Sequence, residues 1–430
     1  MIDNEIIESL RFFMDGSPVN FWAVRSAARQ LEYAGFTRLE MTDDWHLTPG
    51  GRHYVVQNDS AIFAFIVGED IANQGFNIIA AHSDSPGFRI KPRCEMRGEG
   101  GSLRLNTEVY GGPILYTWFD RPLSVAGRVI LRSDNPLRPR HELFDAEQPL
   151  LVIPHLAIHF NRNVNDGNKL SKQKDMIPVA GIGLDSDFSL RSFVAGKMDV
   201  SPDDIIDYDL SLYDCQGFAT LGLEESLMNC GRLDDLSMVH AALLSITAMC
   251  DTPSRKTRVM AIFDNEETGS GTKQGAASPI LEYILRRICL CSGLTDQQFM
   301  RAVANSFMIS ADNAHGLHPN YVEKQDPTNH PVLGGGPVVK INANCKYMTD
   351  ADSAAVFKTI CEMAEVPCQE FVNHSDVAGG STLGNILTSQ LPLRGVDMGA
   401  PLWAMHSCRE TASTSDHVYI TDAFCEFFSL

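Results

Sequence analysis

The chain has 430 residues, an apolar content of 44% and a formal net charge of −19. That length exceeds what one ordinary core fills and points to two or three domains, while the apolar content can support a sizeable buried core. The acidic balance argues against nucleic acid and anionic membrane as partners, because both require clustered Lys and Arg.

The first residues, Met1 to Glu5, carry no basic region followed by an apolar stretch, so no secretory leader is expected. The 238–250 apolar run is broken by His240, Ser245 and Thr247, and no membrane span is expected. The 11 cysteines are scattered without a CxxC pair, which fits reduced thiols in a cytoplasmic protein. Cys289 and Cys291 fall in a helical apolar pattern and are read as core.

Ser17 and Pro18 predict a helix start, with the stripe Phe21, Val24, Ala28, Leu31 running to Gly35 as the residue just past the end. Strands follow at 54–58 and 61–67 around Asp59 and Ser60, then at 76–81, which runs directly into His82-Ser83-Asp84-Ser85-Pro86-Gly87. Residues two apart in extended chain share a face, so Asp84 can reach the rear nitrogen of His82 and fix its tautomer. From about 91 to 229 short β-like runs separated by Gly, Pro, Asn and Asp predominate, which reads as a mainly β insertion. His155 and His159 have the spacing of a helical di-histidine site, but Pro154 and the short segment disfavour a helix; ordinary packing or interface histidines is the reading.

Asp234 and Asp235 precede an apolar helix at 236–249; capping explains one aspartate and does not require two. The strand 258–263 ends abruptly in Asp264-Asn265-Glu266-Glu267 and a glycine-rich turn that lacks P-loop spacing. Taken alone, that acidic pair could be a solvated loop tip. A helical pattern at 276–290 precedes a strand at 307–310 that runs into Ala311-Asp312-Asn313. Next come a strand at 338–342, a helix at 350–364, a strand at 369–372 and a helix-start loop at 379–384. Lys340 alternates with Val339 and Ile341 and so points away from the core, toward a solvated strand face. The apolar run 398–405 leads into His406, and a last helix starts near Ser415.

Apolar segments therefore lead into His82, Glu266 and Glu267, Asp312 and His406, with Asp234 at the head of a buried helix. In open α/β sheets ligands bind outside the carboxyl ends of the strands, so these side chains are candidates to converge. Imidazoles with carboxylates suit Zn2+ or a similar divalent ion. Five ligands, His82, Asp234, Glu267, Asp312 and His406, give each of two ions three protein ligands if one carboxylate bridges. Such a pair polarises a carbonyl and brings the pKa of a water toward neutrality, leaving Glu266 as general base and then acid. Asp264 is left as a loop-shaping residue.

The ordered motifs His82-Ser83-Asp84-Ser85-Pro86, Arg232-Leu233-Asp234-Asp235-Leu236, Asp264-Asn265-Glu266-Glu267-Thr268-Gly269-Ser270, Ser310-Ala311-Asp312-Asn313-Ala314-His315 and Met405-His406-Ser407-Cys408-Arg409-Glu410 resemble those of the aspartyl aminopeptidase family. The likeness extends to Thr117-Trp118-Phe119-Asp120-Arg121 and Gly336-Pro337-Val338-Val339-Lys340, and so covers essentially the whole chain. It implies a cytoplasmic di-zinc exopeptidase, with Co2+ or Mn2+ as substitutes, acting on the free N-terminus of peptides.

Carried over by motif, His82, Asp234 and Asp312 would hold one ion, and Asp234, Glu267 and His406 the other. Glu266 would be the base, and Asp84 would orient His82. The resemblance further implies a zinc-peptidase-like α/β/α catalytic domain, 1–92 plus 230–430, interrupted by a β-rich dimerisation domain at 93–229. It implies assembly of dimers into a tetrahedral homododecamer, in which His159 would reach a neighbouring subunit's site. Lys340 would meet an acidic substrate side chain, which gives a preference for N-terminal Asp or Glu. The pattern departs at Asp235, where asparagine is expected, at Pro122, and in the looser 373–380 stretch. Two rival readings remain: a di-metal acyl-amino-acid deacylase using the same ligands, and a catalytically idle assembly or cargo-binding protein.

Overall fold

A computed structural model describes residues 2–184 and 188–430. The chain forms two compact units, one of Met1–Asp84, Phe218–Met405 and Glu410–Leu430, the other of Ser85–Gly217 and His406–Arg409.

In the first unit the apolar runs Phe76–His82 and Thr257–Phe263 are adjacent parallel strands, with Phe263 beside His82. All their residues are buried, as expected of strands covered on both faces. Among the described residues they belong to a 9-stranded sheet. Its order is Thr37–Arg38, Arg52–Gln57, Ala61–Ile66, Thr257–Phe263, Phe76–His82, Phe307–Ala311, Arg394–Gly399, Val338–Ile341, Gln369–Val372. Phe307–Ala311 runs parallel to Phe76–His82, and Arg394–Gly399 parallel to Phe307–Ala311. Their carboxyl ends therefore open on one edge of the sheet.

Successive side chains in a strand point to opposite faces, and here each face meets helices. Ile79, Ala81, Met260 and Ile262 share a core with residues of the helices Ile2–Asp15, Asn20–Tyr33, Leu233–Ala248, Ala351–Met363 and Thr414–Ser429. Ile78, Ala80, Val259, Ala261 and Phe263 share another with Ile280–Cys291, Asp296–Ala304 and Leu383–Gln390. The α/β/α arrangement follows from this two-sided burial. Among the described residues no helix is long and apolar enough to cross a membrane.

Among the described residues the other unit carries a 6-stranded antiparallel sheet, in the order Arg140–Asp145, Leu123–Leu131, Ile205–Asp214, Gly87–Arg97, Ser102–Tyr110, Val179–Ile182. It begins earlier than position 93 because Gly87–Arg97 is one of its strands. At the far end, Leu227–Cys230 pairs instead with Glu410–Ser413 of the first unit. His155 and His159 lie in this second unit outside any α-helix, with His155 against the Phe119 ring at 4.6 Å between centroids.

Several expectations need correction. Ser17 is not an N-cap: it is buried, the helix starts at Asn20, and the Asn20 side chain accepts from the Phe21 N–H at 3.0 Å. Lys340 does not face solvent; it is 3% exposed, because a strand covered on both faces has no wet side. The apolar run 398–405 is divided between two sheets. Arg394–Gly399 ends in the large sheet, Pro401–Trp403 joins a smaller one, and His406 lies in the other unit.

Arg258 is fully buried, and its guanidinium donates to the carbonyls of Phe428, Met249 and Thr252 at the ends of two helices. Arg258→Met removes these donors, leaves the buried Phe428 carbonyl without this partner, and should lower unfolding stability by on the order of 3 kcal/mol in urea titration. An unchanged midpoint would show the arginine to be dispensable.

Candidate metal centre

The fold brings His82, Asp234, Asp235 and Asp312 together, each offering a ligand atom within 4.8 Å of the others. His82, Glu266 and Glu267 form a second group under the same limit. That spacing is close to twice a zinc–ligand distance of about 2 Å.

His82 is the last residue of its strand. Its Nδ1 lies 3.1 Å from the Asp84 carbonyl oxygen and 3.4 Å from Asp84 Oδ1, while Nε2 lies 3.7 Å from Asp234 Oδ1. A carbonyl can only accept, so Nδ1 carries a proton, and Nε2, toward the carboxylates, is the nitrogen that would ligate a metal.

Asp84 also has a task that the local spacing does not reveal. Its two carboxylate oxygens accept from the backbone N–H groups of Glu266 and Glu267, at 3.1 and 3.2 Å. One side chain therefore steadies both the imidazole and the turn that presents the glutamates. That turn is a single 3-10 turn, Glu266–Thr268, entered through Asn265 at φ +64°. Asp264 is confirmed in a shaping role: it accepts from the Asn20 side chain at 3.0 Å and from the Asn265 N–H at 2.8 Å.

Asp234 and Asp235 sit where the chain leaves Arg232, itself at φ +66°, and enters the Leu233–Ala248 helix; neither has helical backbone angles. The irregular entry frees both carboxylates from capping. The Asp234 N–H donates to Glu410 at 3.0 Å. Asp235 accepts from the His82 N–H at 3.1 Å and from Asn313 Nδ2 at 3.2 Å. Glu410 and Asn313 are thus supporting residues missed from sequence; their partners lie far away in the chain, and no local spacing exposes them. Asp312 follows its strand end directly, and a Cβ on Gly399 would lie 1.9 Å from the Asp312 carbonyl oxygen, so only glycine permits this approach.

Lys340 Nζ lies 3.4 Å from Asp312 Oδ2. Burial acts against its charge, but Asp312 and the neighbouring acidic groups outweigh it and hold the ammonium above its usual pKa. The carboxylates perturb one another as well. Burial, with Asp312, Glu267 and Asp234 and against the opposing His82, pushes Glu266 up to about 8. Burial likewise raises Asp235. For His82, burial disfavours protonation, yet Asp235, Asp84 and Glu266 together raise it. This much buried negative charge, on a donor set of imidazole and carboxylates, is the environment a divalent ion such as zinc relieves.

His406 sits in the other unit, where its Nδ1 lies 3.2 Å from the Gly112 carbonyl oxygen. His159 lies in that unit too and is exposed.

Asp84→Asn retains size but replaces one acceptor oxygen with a donor facing another donor. It should weaken zinc affinity roughly 10–100-fold, as loss of an outer-shell partner does, in competition with a chromophoric chelator. Wild-type affinity in that variant would contradict the steadying role of Asp84.

The profile of the family described as "Aminopeptidase I zinc metalloprotease (M18)" matches residues 13–428. A "Probable M18 family aminopeptidase 2" from Clostridium novyi is 46% identical over 99% of this chain and 98% of its own. The homologue of the same name from Ectopseudomonas mendocina is 42% identical over 99% and 98%. Among solved structures, the one described as the "Ape4 and Nbr1 complex" superposes with TM-score 0.95 at 33% identity, covering 100% of this chain and 86% of that one. The S. cerevisiae mApe1 dodecamer superposes with TM-score 0.87 at 25% identity, covering 99% and 97%. With a buried His and carboxylate cluster at the strand ends and a match along nearly its whole length, this chain belongs to the M18 family of zinc aminopeptidases.

Proposed function

We propose that the protein removes N-terminal residues from peptides with two zinc ions per subunit, prefers Asp or Glu at the N-terminus, and uses Glu266 as its proton carrier. The observation that carries this reading is the pair of adjacent glutamates on one turn, pinned through their N–H groups by Asp84 beside His82.

His82, Asp234 and Asp312 are proposed for one ion, and Asp234, Glu267 and His406 for the other. The part of His406 rests on its motif, Met405-His406-Ser407-Cys408-Arg409-Glu410. Bound zinc would polarise the scissile carbonyl and make a water acidic near neutral pH. Burial and the surrounding carboxylates raise the proton affinity of Glu266, to about 8, and once bound cations ionise it such a carboxylate suits the group that takes a proton from the attacking water. It would then pass that proton to the amine nitrogen as the C–N bond breaks. Lys340 is proposed to pair with the substrate's acidic side chain. Its support is a buried ammonium held beside Asp312.

Assembly as a dodecamer, with the β-rich second unit in subunit contacts and His159 reaching a neighbouring site, is also part of the proposal. Around His159 the second unit exposes Leu156, Ile158 and Phe160, the last 80% exposed, and contiguous exposed apolar side chains mark interfaces. The free state of the cysteines suits a reducing, cytoplasmic setting.

Glu266→Gln should keep its zinc but lose about 10²–10⁴-fold in kcat. A panel of free and N-acetylated dipeptides separates the reading from a deacylase: blocked peptides should resist cleavage, and their hydrolysis at rates equal to free ones would overturn it. In the same panel Lys340→Met should lower kcat/KM for Asp and Glu peptides relative to Ala peptides. An unchanged ratio would remove Lys340 from recognition.

A further inference from the structure

We propose that Asp214 is a positioning residue for His406, acting through Arg409. This rests on the reading of His406 as a zinc ligand and adds what holds it in place.

The segment His406–Arg409 belongs to the second unit, and hydrogen bonds tie it there at His406, Cys408 and Arg409. His406 Nδ1 lies 3.2 Å from the Gly112 carbonyl, which can only accept; the proton is on Nδ1 and Nε2 keeps the lone pair a metal needs. The His406 carbonyl accepts from the Ile114 N–H at 2.9 Å. The Cys408 N–H donates to Thr117 Oγ1 at 2.8 Å, and that hydroxyl donates to the Ile114 carbonyl at 2.7 Å.

Arg409 closes the segment. Its guanidinium donates to the carbonyls of Gln216 and Gly217, at 2.6 and 3.0 Å, and lies 3.5 Å from Asp214 Oδ2. The same carboxylate oxygen accepts from Arg121 Nη1 at 2.9 Å, and Arg121 Nε donates to the Thr117 carbonyl at 2.6 Å. Asp214, buried between two arginines, therefore joins both ends of the network that carries His406.

The loop needs such a hold. Ala404 and His406 both have left-handed backbone, at φ +56° and +68°. Non-glycine residues keep that conformation only where their surroundings over-determine it. An ion pair with Arg409 that is simultaneously braced by Arg121 supplies the constraint, and the Gly112 carbonyl then sets which ring nitrogen is available.

The test is zinc titration of the full-length protein against a chromophoric chelator, for wild type, Asp214→Asn, Asp214→Glu and His406→Ala. Asp214→Asn should weaken one of the two zinc equivalents roughly 10–100-fold and leave the other unchanged, with partial recovery in Asp214→Glu. The cobalt-loaded protein should show altered ligand-field bands for that same equivalent. Wild-type affinity in Asp214→Asn, or equal weakening of both equivalents, would overturn the positioning role, provided His406→Ala weakens one. Wild-type affinity in His406→Ala would instead overturn the ligand reading. Should Asp214→Asn fail to fold, Thr117→Val cuts the same network and carries the test with the same expected outcome.

Discussion

Mutual repulsion among buried carboxylates is the constraint on which the rest of the catalytic unit depends. Asp234, Asp235, Glu266, Glu267 and Asp312 are gathered around one imidazole at the ends of parallel strands. In the chain alone Glu266 and Asp235 resist ionisation, with raised proton affinities caused first by burial and then by their acidic neighbours. Such an arrangement costs folding free energy unless a multivalent cation completes it. Zinc is thus part of the structural logic of the site as well as its chemistry.

Holding these groups at fixed positions requires neutral donors, and backbone N–H groups supply most of them. Asp84 receives two from the glutamate turn, Asp235 receives one from His82, and Glu410 receives one from Asp234. Each bond ties one chain segment of the site to another, so sequence-distant pieces are placed relative to each other by backbone as much as by side chain. On the proposed reading, one of the adjacent glutamates on this turn would ligate while the other would move a proton.

Much of this was legible in the sequence because parallel strands covered on both faces read as unbroken apolar runs, and polar residues at their ends stand out. His82, Glu266, Glu267 and Asp312 were found that way, while the two layers of helices were expected from the family resemblance. The same two-sided burial defeated the reading of Lys340, since alternation assigns a wet face only where one exists. The helix Ile2–Asp15 went unread although Leu10, Phe13 and Met14 recur at helical spacing. Glu410 and the double duty of Asp84 were invisible for a different reason: they bind backbone groups 176 and 182 residues away. His406 was found by its motif and by the apolar run before it, which is divided between strands of two different sheets.

Diffraction from zinc-loaded crystals of the full chain, recorded on both sides of the zinc absorption edge, tests the central claim most directly. The account predicts two anomalous peaks per subunit, one ligated by His82, Asp234 and Asp312 and the other by Asp234, Glu267 and His406, with Glu266 off both. A single peak, or a zinc ligated by Glu266, would contradict it.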